Sequence, residues 1–176
     1  MPRRPPLPPE ALSADGEQFY ALLNGAQDVS VVVVAVSYID ACLASLLSKY
    51  FLPSSVTKEL LDSGSGALGS FSARAKLAYV LALIDKPMFR DLQVLSELRN
   101  DVAHSHFALK FADATVIDHC QRLTYAASLK DHGTDRPIFT EDMLSGPRNR
   151  FMLTAVMIAQ RLLLTALGTA HVKRQA

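Results

Sequence analysis

One short segment carries the side chains whose types and spacing could do chemistry, and it reads Arg99-Asn100-Asp101-Val102-Ala103-His104-Ser105. Arg99 is a permanent cation that binds anions, Asn100 donates and accepts hydrogen bonds, and His104 can gain or lose a proton near neutral pH. Such a set suits the binding of an anion with a proton-transferring group nearby. The same residue types can instead cap the last carbonyls of a helix and hold the following loop, which is a purely structural role.

The geometry of a helix limits what these three side chains can do together. Asn100 and His104 are four residues apart and share one face of a regular helix. Arg99 and His104 are five apart, about 140° around the axis at 3.6 residues per turn. Within one chain, both can meet one ligand only if the helix ends or bends near Ala103, or if the long arginine side chain curls round the helix.

The pattern R-N-x-x-x-H in Arg99–His104 resembles the signature of the HEPN superfamily of helical domains, many of which are metal-independent RNases. The resemblance implies that two motifs meet across a dimer cleft, which relieves the geometric difficulty. It also implies that His104 acts as general base or acid at a ribose 2′-hydroxyl or leaving oxygen, and that Arg99 holds the phosphate. Asn100 would orient the histidine or the phosphate, and the product would be a 2′,3′-cyclic phosphate.

A second segment, Gly66 to Tyr79, narrows the resemblance. It reads GALGSFSARAKLAY and, followed by LRNDVAHS at 98–105, is similar to the mannitol operon repressor family, bacterial regulators of helical fold. This similarity covers roughly residues 29–123 and implies transcriptional control through a regulatory protein partner. The segment can also be a glycine-permitted turn before a packed helix. Under the functional interpretation, Arg74 and Lys76 lie beside the motif as anion or RNA ligands.

Arg74 and Lys76 fall in the first turns of a predicted helix, where a positive charge opposes the helix dipole. They therefore need a partner, for which Glu97, Asp101 or a bound anion is available. Asp40, a polar residue within a long apolar segment, is interpreted as a buried partner for one of the arginines and not as a catalytic acid.

Composition limits the class of protein. The 176 residues are 49% hydrophobic and 20% charged, which supports one folded domain. A net charge of +1 argues against a surface that neutralises many phosphates. The sequence has no phosphate-binding loop, dinucleotide fingerprint or helix-turn-helix, so direct DNA binding is not expected. His106 beside His104 lacks further ligands, and neither a metal nor a cofactor is predicted.

Hydrophobic periodicity predicts an all-α, HEPN-like bundle of about six to seven helices in one domain at 10–172. A flexible proline-rich tail is predicted at 1–9 and a short tail at 173–176. The predicted helices cover 10–23, 28–51, part of 53–62, 73–85, 88–104, 113–129 and 148–169, with Asp28 or Ser30, Ser70 or Ser72, and Asp113 as N-caps. Leu77, Val80, Leu81 and Ile84 are expected to form one apolar stripe.

The segment 28–51 raises two alternatives to a core helix. Its Val31–Val34 run has strong β propensity, but the apolar spacing continues well beyond strand length and favours a helix. Its length also suits a membrane span, yet Asp40 near its centre would be costly in lipid. A core helix of a bundle is predicted, with no membrane contact.

Cys42 and Cys120 lie in apolar helical patterns without metal-like spacing, which indicates small buried side chains in a reducing cytoplasm. The N-terminus lacks the apolar region of a signal peptide. Because the two long helices are so apolar, a homodimer is expected. Two functions remain open: a cytoplasmic regulator of the mannitol operon repressor type, or a HEPN-type RNase that uses Arg99 and His104.

Overall fold

The computed structural model describes residues 6–25, 27–104 and 109–169, so Ser105, His106 and the basic segment 171–174 lie outside the described residues. Within these ranges the protein is an all-α bundle without a β-strand, as predicted. Its helices are α1 (Pro9–Ala14), α2 (Gly16–Gly25), α3 (Asp28–Tyr50), α4 (Ser55–Leu60), α5 (Phe71–Val80), α6 (Lys86–His104), α7 (Ala114–Arg122), α8 (Tyr125–Ser128) and α9 (Pro147–Gly168).

The core is built on the pairing of α3 with α9, which make the most extensive contact between any two helices of the described chain. α3 buries Val31, Val32 and the continuous stretch Cys42–Leu47, and α9 buries Phe151 and Ile158 among others. The valine run is therefore helical, which confirms the prediction made from the length of the apolar pattern. α1, α2, α5 and α6 pack around this pair.

α3 and α9 are each long and apolar enough to cross a membrane by length and composition alone. Their most apolar windows are 56% and 50% buried inside the fold, respectively. Core packing therefore accounts for the hydrophobicity of both helices. The homodimer stays a prediction.

Two predicted helices are each divided, which is why the structure has more helices than expected. The helix expected at 10–23 is interrupted at Asp15, whose backbone N–H bonds back to the carbonyls of Ala11 and Leu12 and closes α1. The helix expected at 113–129 ends at Arg122 and resumes at Tyr125. In that second break the carboxylate of Asp91, on α6, accepts backbone N–H groups that a continuous helix would have used internally.

The predicted helix caps are partly correct. Ser70 caps α5 by accepting the backbone N–H of Ala73 at 3.2 Å. Asp28 is not an N-cap but the first residue of α3. Its carboxylate accepts the backbone N–H of Phe111 at 2.9 Å and pairs with Arg148, so it ties α3 to the chain before α7 and to the start of α9.

The apolar stripe expected on α5 is also only partly correct. α5 ends at Val80, and Ala82 then takes a left-handed backbone conformation with φ of 55°. This turn leaves Val80 78% exposed and carries Ile84 into the core from outside the helix. The turn, which redirects the chain towards α6, is the reason why the stripe is interrupted.

Cys42 and Cys120 are free and buried, as predicted. Burial raises the pKa of both thiols to about 12, because the charged thiolate is poorly solvated inside the protein. We expect neither thiol to react with a disulfide reagent in the native protein at mildly alkaline pH, and both to react in urea. Timed labelling followed by mass spectrometry measures this, and rapid labelling of the native protein would contradict it.

Candidate functional site

Arg74 forms a buried ion pair with Asp40. Arg74 is 3% exposed, and its Nη1 lies 2.7 Å from Oδ2 of Asp40 on α3. Its Nη2 donates to the carbonyl of Leu61 at 2.8 Å. The prediction that Asp40 pairs with an arginine is thus confirmed, but Asp40 is only partly buried, with its side chain 29% exposed. Arg74 thereby links the start of α5 to the middle of α3 and to the end of α4.

Lys76, by contrast, is exposed on α5. The role of Arg74 and Lys76 as anion or RNA ligands stays a prediction. The geometry does not favour it for Arg74, because protein groups already occupy both terminal nitrogens of its guanidinium.

The expected partners of these two basic residues, Glu97 and Asp101, are engaged elsewhere. Asp101 Oδ2 lies 2.8 Å from Nε2 of His119, and Glu97 Oε2 lies 2.8 Å from Nη2 of Arg122. Glu97 and Asp101 are one turn apart on α6, and both reach towards α7. Sequence reasoning missed this cluster. Its only signals are the four-residue spacing of the two acidic residues on α6 and the three-residue spacing of His119 and Arg122 on α7, and such spacings are common on any exposed helix.

The motif helix α6 runs without interruption to His104. Arg99, Asn100 and His104 are all exposed, and the five-residue spacing of Arg99 and His104 therefore places them on different faces, about 140° apart. α6 continues through Ala103, so an end or bend of the helix at that residue does not bring the arginine and the histidine of one chain together. The catalytic roles of Arg99, Asn100 and His104 stay predictions, and they require a second chain.

Arg99 instead lines a cavity of about 610 Å³. The cavity lies between α3, the loop 63–70 and the beginning of α5, with Arg99 contributed by α6. Ser37, Asp40 and Phe71 are among the residues that line it. The structure thus brings Arg99 together with the Asp40–Arg74 pair, while His104 and Lys76 are not part of this wall.

The loop that forms one wall is held in a fixed shape by short-range contacts. Oδ1 of Asp62 accepts the backbone N–H groups of Gly64 and Ser65 at 2.8 and 3.1 Å. A Cβ atom at Gly66 would lie 2.3 Å from the carbonyl oxygen of Leu60, and one at Gly69 would lie 2.5 Å from a backbone oxygen. Both glycines are needed for this close approach of backbone to backbone, so local contacts of the chain define the wall.

A separate apolar groove of about 430 Å³ runs between α1, α2 and α3. Leu7, Leu22 and Val33 line it and are 53%, 49% and 42% exposed, respectively. Ser37 of α3 lines both this groove and the cavity that contains Arg99. The two features are therefore neighbours on one side of the molecule.

No group of three or more His, Cys, Asp or Glu side chains that could hold a metal ion occurs in the part of the chain that the structure describes. The cavity is lined by residues that can form hydrogen bonds, and the groove is lined by exposed apolar residues. Both features are therefore suited to binding another molecule.

Comparison with known proteins gives the family. Solved structures that share the fold include a chain of the X-ray structure of the MtlR–HPr complex from Escherichia coli. Its TM-score is 0.65 at 20% sequence identity, and the match covers 85% of this chain and 98% of that chain. The crystal structure of a possible transcriptional regulator, YggD, from Shigella flexneri 2a str. 2457T has a TM-score of 0.64 at 18% identity, over 84% and 98% of the two chains. No curated protein matches the sequence. The sequence model of the mannitol repressor family matches residues 18–165, and the chain therefore belongs to that family.

Proposed function

We propose that this protein is a cytoplasmic regulator that controls transcription by binding a protein partner and does not read DNA itself. The observation that carries the proposal is the family match over residues 18–165. The structurally similar MtlR was solved in complex with HPr. A protein of the HPr type is therefore the partner we infer for this chain.

The arrangement of the long helices supports a protein partner over DNA. A helix that reads the major groove must present one face to the bases, with basic residues beside it for the phosphates. α3 and α9 bury their faces against each other. The exposed side of α6 mixes Arg99 with the acidic Glu97 and Asp101. The net charge of +1 gives no general attraction to phosphate.

The apolar groove between α1, α2 and α3 is the surface we assign to the partner. Exposed leucine and valine side chains grouped around a groove are typical of protein interaction sites, whereas single exposed apolar residues are ordinary. Leu7, Leu22 and Val33 form such a group. The proposed interface would therefore be centred on α2 and the exposed side of α3.

The test measures the binding of the purified protein to HPr by titration calorimetry and to promoter DNA by gel retardation. We expect saturable binding to HPr and no specific DNA shift. Val33→Asp is expected to weaken HPr binding at least tenfold, since a charge in an apolar contact costs more than 1.4 kcal/mol. Leu164→Asp is the matched control, because Leu164 is 64% exposed on α9 and does not line the groove. A specific DNA complex without a partner would contradict the proposal.

Homodimer formation is the second part of the proposal, and solution scattering measures it. One chain has a mass of 19.2 kDa, so a dimer scatters as twice that mass. A dimer would also be required for two Arg99–His104 motifs to approach each other. A monomer at micromolar concentration would overturn the homodimer and the cross-chain site together.

RNase activity, the alternative function, is expected to be absent. The family match over residues 18–165 favours a regulator, and Arg99 and His104 face different directions on the unbroken α6, so they could meet at one phosphate only if a dimer aligned two motifs. We expect total RNA to stay intact with the protein in EDTA. Cleavage that is lost in both Arg99→Ala and His104→Ala, with unchanged circular dichroism, would overturn this and establish a HEPN-type enzyme.

A further inference from the structure

We propose that the cavity lined by Arg99 and Asp40 binds a small polyhydroxylated molecule, a sugar or a sugar alcohol. The cavity of about 610 Å³ is within the usual range for small-molecule sites, which is roughly 300–1,000 Å³. Its polar groups come from separate elements: Ser37 and Asp40 from α3, Arg99 from α6, and serines from the loop 63–70. Groups from distant parts of the chain that converge on one space can contact one ligand.

An unsatisfied polar atom marks the Asp40 side of this cavity. Among the described residues, four buried side-chain polar atoms have no hydrogen-bond partner, and one of them, Oδ1 of Asp40, belongs to a residue that lines the cavity. Buried polar groups in folded proteins are almost always hydrogen-bonded, so such atoms call for a specific explanation. The Asp40 carboxylate also keeps unused acceptor capacity, because within the described ranges it accepts only from Arg74, at Oδ2. A hydroxyl group that enters the cavity would supply the missing donor to Asp40.

The hydrogen-bonding groups in the cavity favour a neutral ligand with hydroxyl groups over a bare anion. A phosphate would gain from Arg99, but fully ionised phosphate oxygens offer no hydrogen to the unpartnered Oδ1 of Asp40. A hydroxyl group donates to a carboxylate, accepts from a guanidinium and does both with serine. Val36 and Phe71 add an apolar part of the wall that can pack against the carbon skeleton of such a molecule.

Amide NMR of the whole protein without any partner tests this proposal, so its failure is separate from a failure of the proposed function. The probes are mannitol, the compound in the family's name, sorbitol and inorganic phosphate, each at millimolar concentration. We expect the polyols to shift the amide signals of Gly64, Gly66 and Gly69 in a saturable way, because these glycines line the cavity. The signals of Gly133 and Gly146, which do not line it, should stay unchanged.

Arg99→Ala is expected to weaken this binding about tenfold, the effect of losing one charge-assisted hydrogen bond. Arg90→Ala is the matched control, because Arg90 is an exposed arginine on the same helix and does not line the cavity. Shifts with phosphate alone would show that the ligand class is wrong. No saturable shift with either polyol, or equal loss in both variants, would overturn the site.

Discussion

Replacement of Arg74 by methionine is expected to lower the free energy of unfolding by about 3 kcal/mol, the lower end of the range for breaking a buried ion pair. The substitution leaves the Asp40 carboxylate without Arg74 as its ion-pair partner and removes the hydrogen bond to the carbonyl of Leu61. The lower end applies because the Asp40 side chain keeps 29% exposure and some hydration. In a protein of this size the loss corresponds to a fall in Tm of roughly 6–12 °C. Urea denaturation and scanning calorimetry measure both quantities.

Two further variants separate the ion pair from a general effect of substitution in α5. Lys76→Met changes an exposed lysine two residues away and is expected to stay within about 0.5 kcal/mol of the wild type. Asp40→Leu combined with Arg74→Met should recover most of the stability, because apolar residues can replace a buried pair at little cost. If Arg74→Met were as mild as Lys76→Met, Arg74 would not be a structural residue and its role as an anion ligand would regain support.

The core helices could be predicted from the sequence because their signal is long. In α3 the apolar spacing extends over a segment far longer than a strand, so the β propensity of four consecutive valines was outweighed. Asp40, the aspartate in the middle of that segment, was correctly interpreted as the partner of an arginine. Burial without a partner would have been too costly for a charged side chain.

The helix breaks could not be predicted, because tertiary contacts cause them. The segment 113–129 contains no proline or glycine and has a continuous helical pattern. The break at Leu123 and Thr124 depends on Asp91, which is more than thirty residues earlier in the chain. The left-handed turn at Ala82 has no glycine to signal it either. A pattern read along the chain gives no information on such partners.

The candidate site was predictable only in part for the same reason. Helix geometry alone predicted that Arg99 and His104 diverge, and the unbroken α6 agrees with it. The cavity beside Arg99 could not be predicted, since it exists only where α3, α5 and the loop 63–70 meet. The motif therefore contains the arginine that lines this cavity, and the fold determines which residues surround it.

Replacement of Asp91 by alanine is expected to cost about 3 kcal/mol, because it removes the acceptor for two backbone N–H groups at the break between α7 and α8. Asp91 is completely buried and accepts the N–H groups of Thr124 and Tyr125 at 3.0 and 2.7 Å. Burial raises the pKa of Asp91 although these donors oppose the shift. Desolvation therefore offsets part of the stabilisation, which keeps the expected loss moderate. Chemical denaturation measures it.

Asp91 and Arg150 hold opposite sides of the same break, so the damage should be local as well as global. Arg150 Nη1 donates to the carbonyl of Leu123 at 3.2 Å, just before the N–H groups that Asp91 accepts. We expect hydrogen exchange in Asp91→Ala to accelerate first at Thr124 and Tyr125 and less in α3. Asp118→Ala, at an exposed aspartate of α7, should leave both stability and exchange unchanged. Equal effects of the two substitutions would mean that the break between α7 and α8 does not depend on Asp91, and that packing of α8 on α9 suffices to form it.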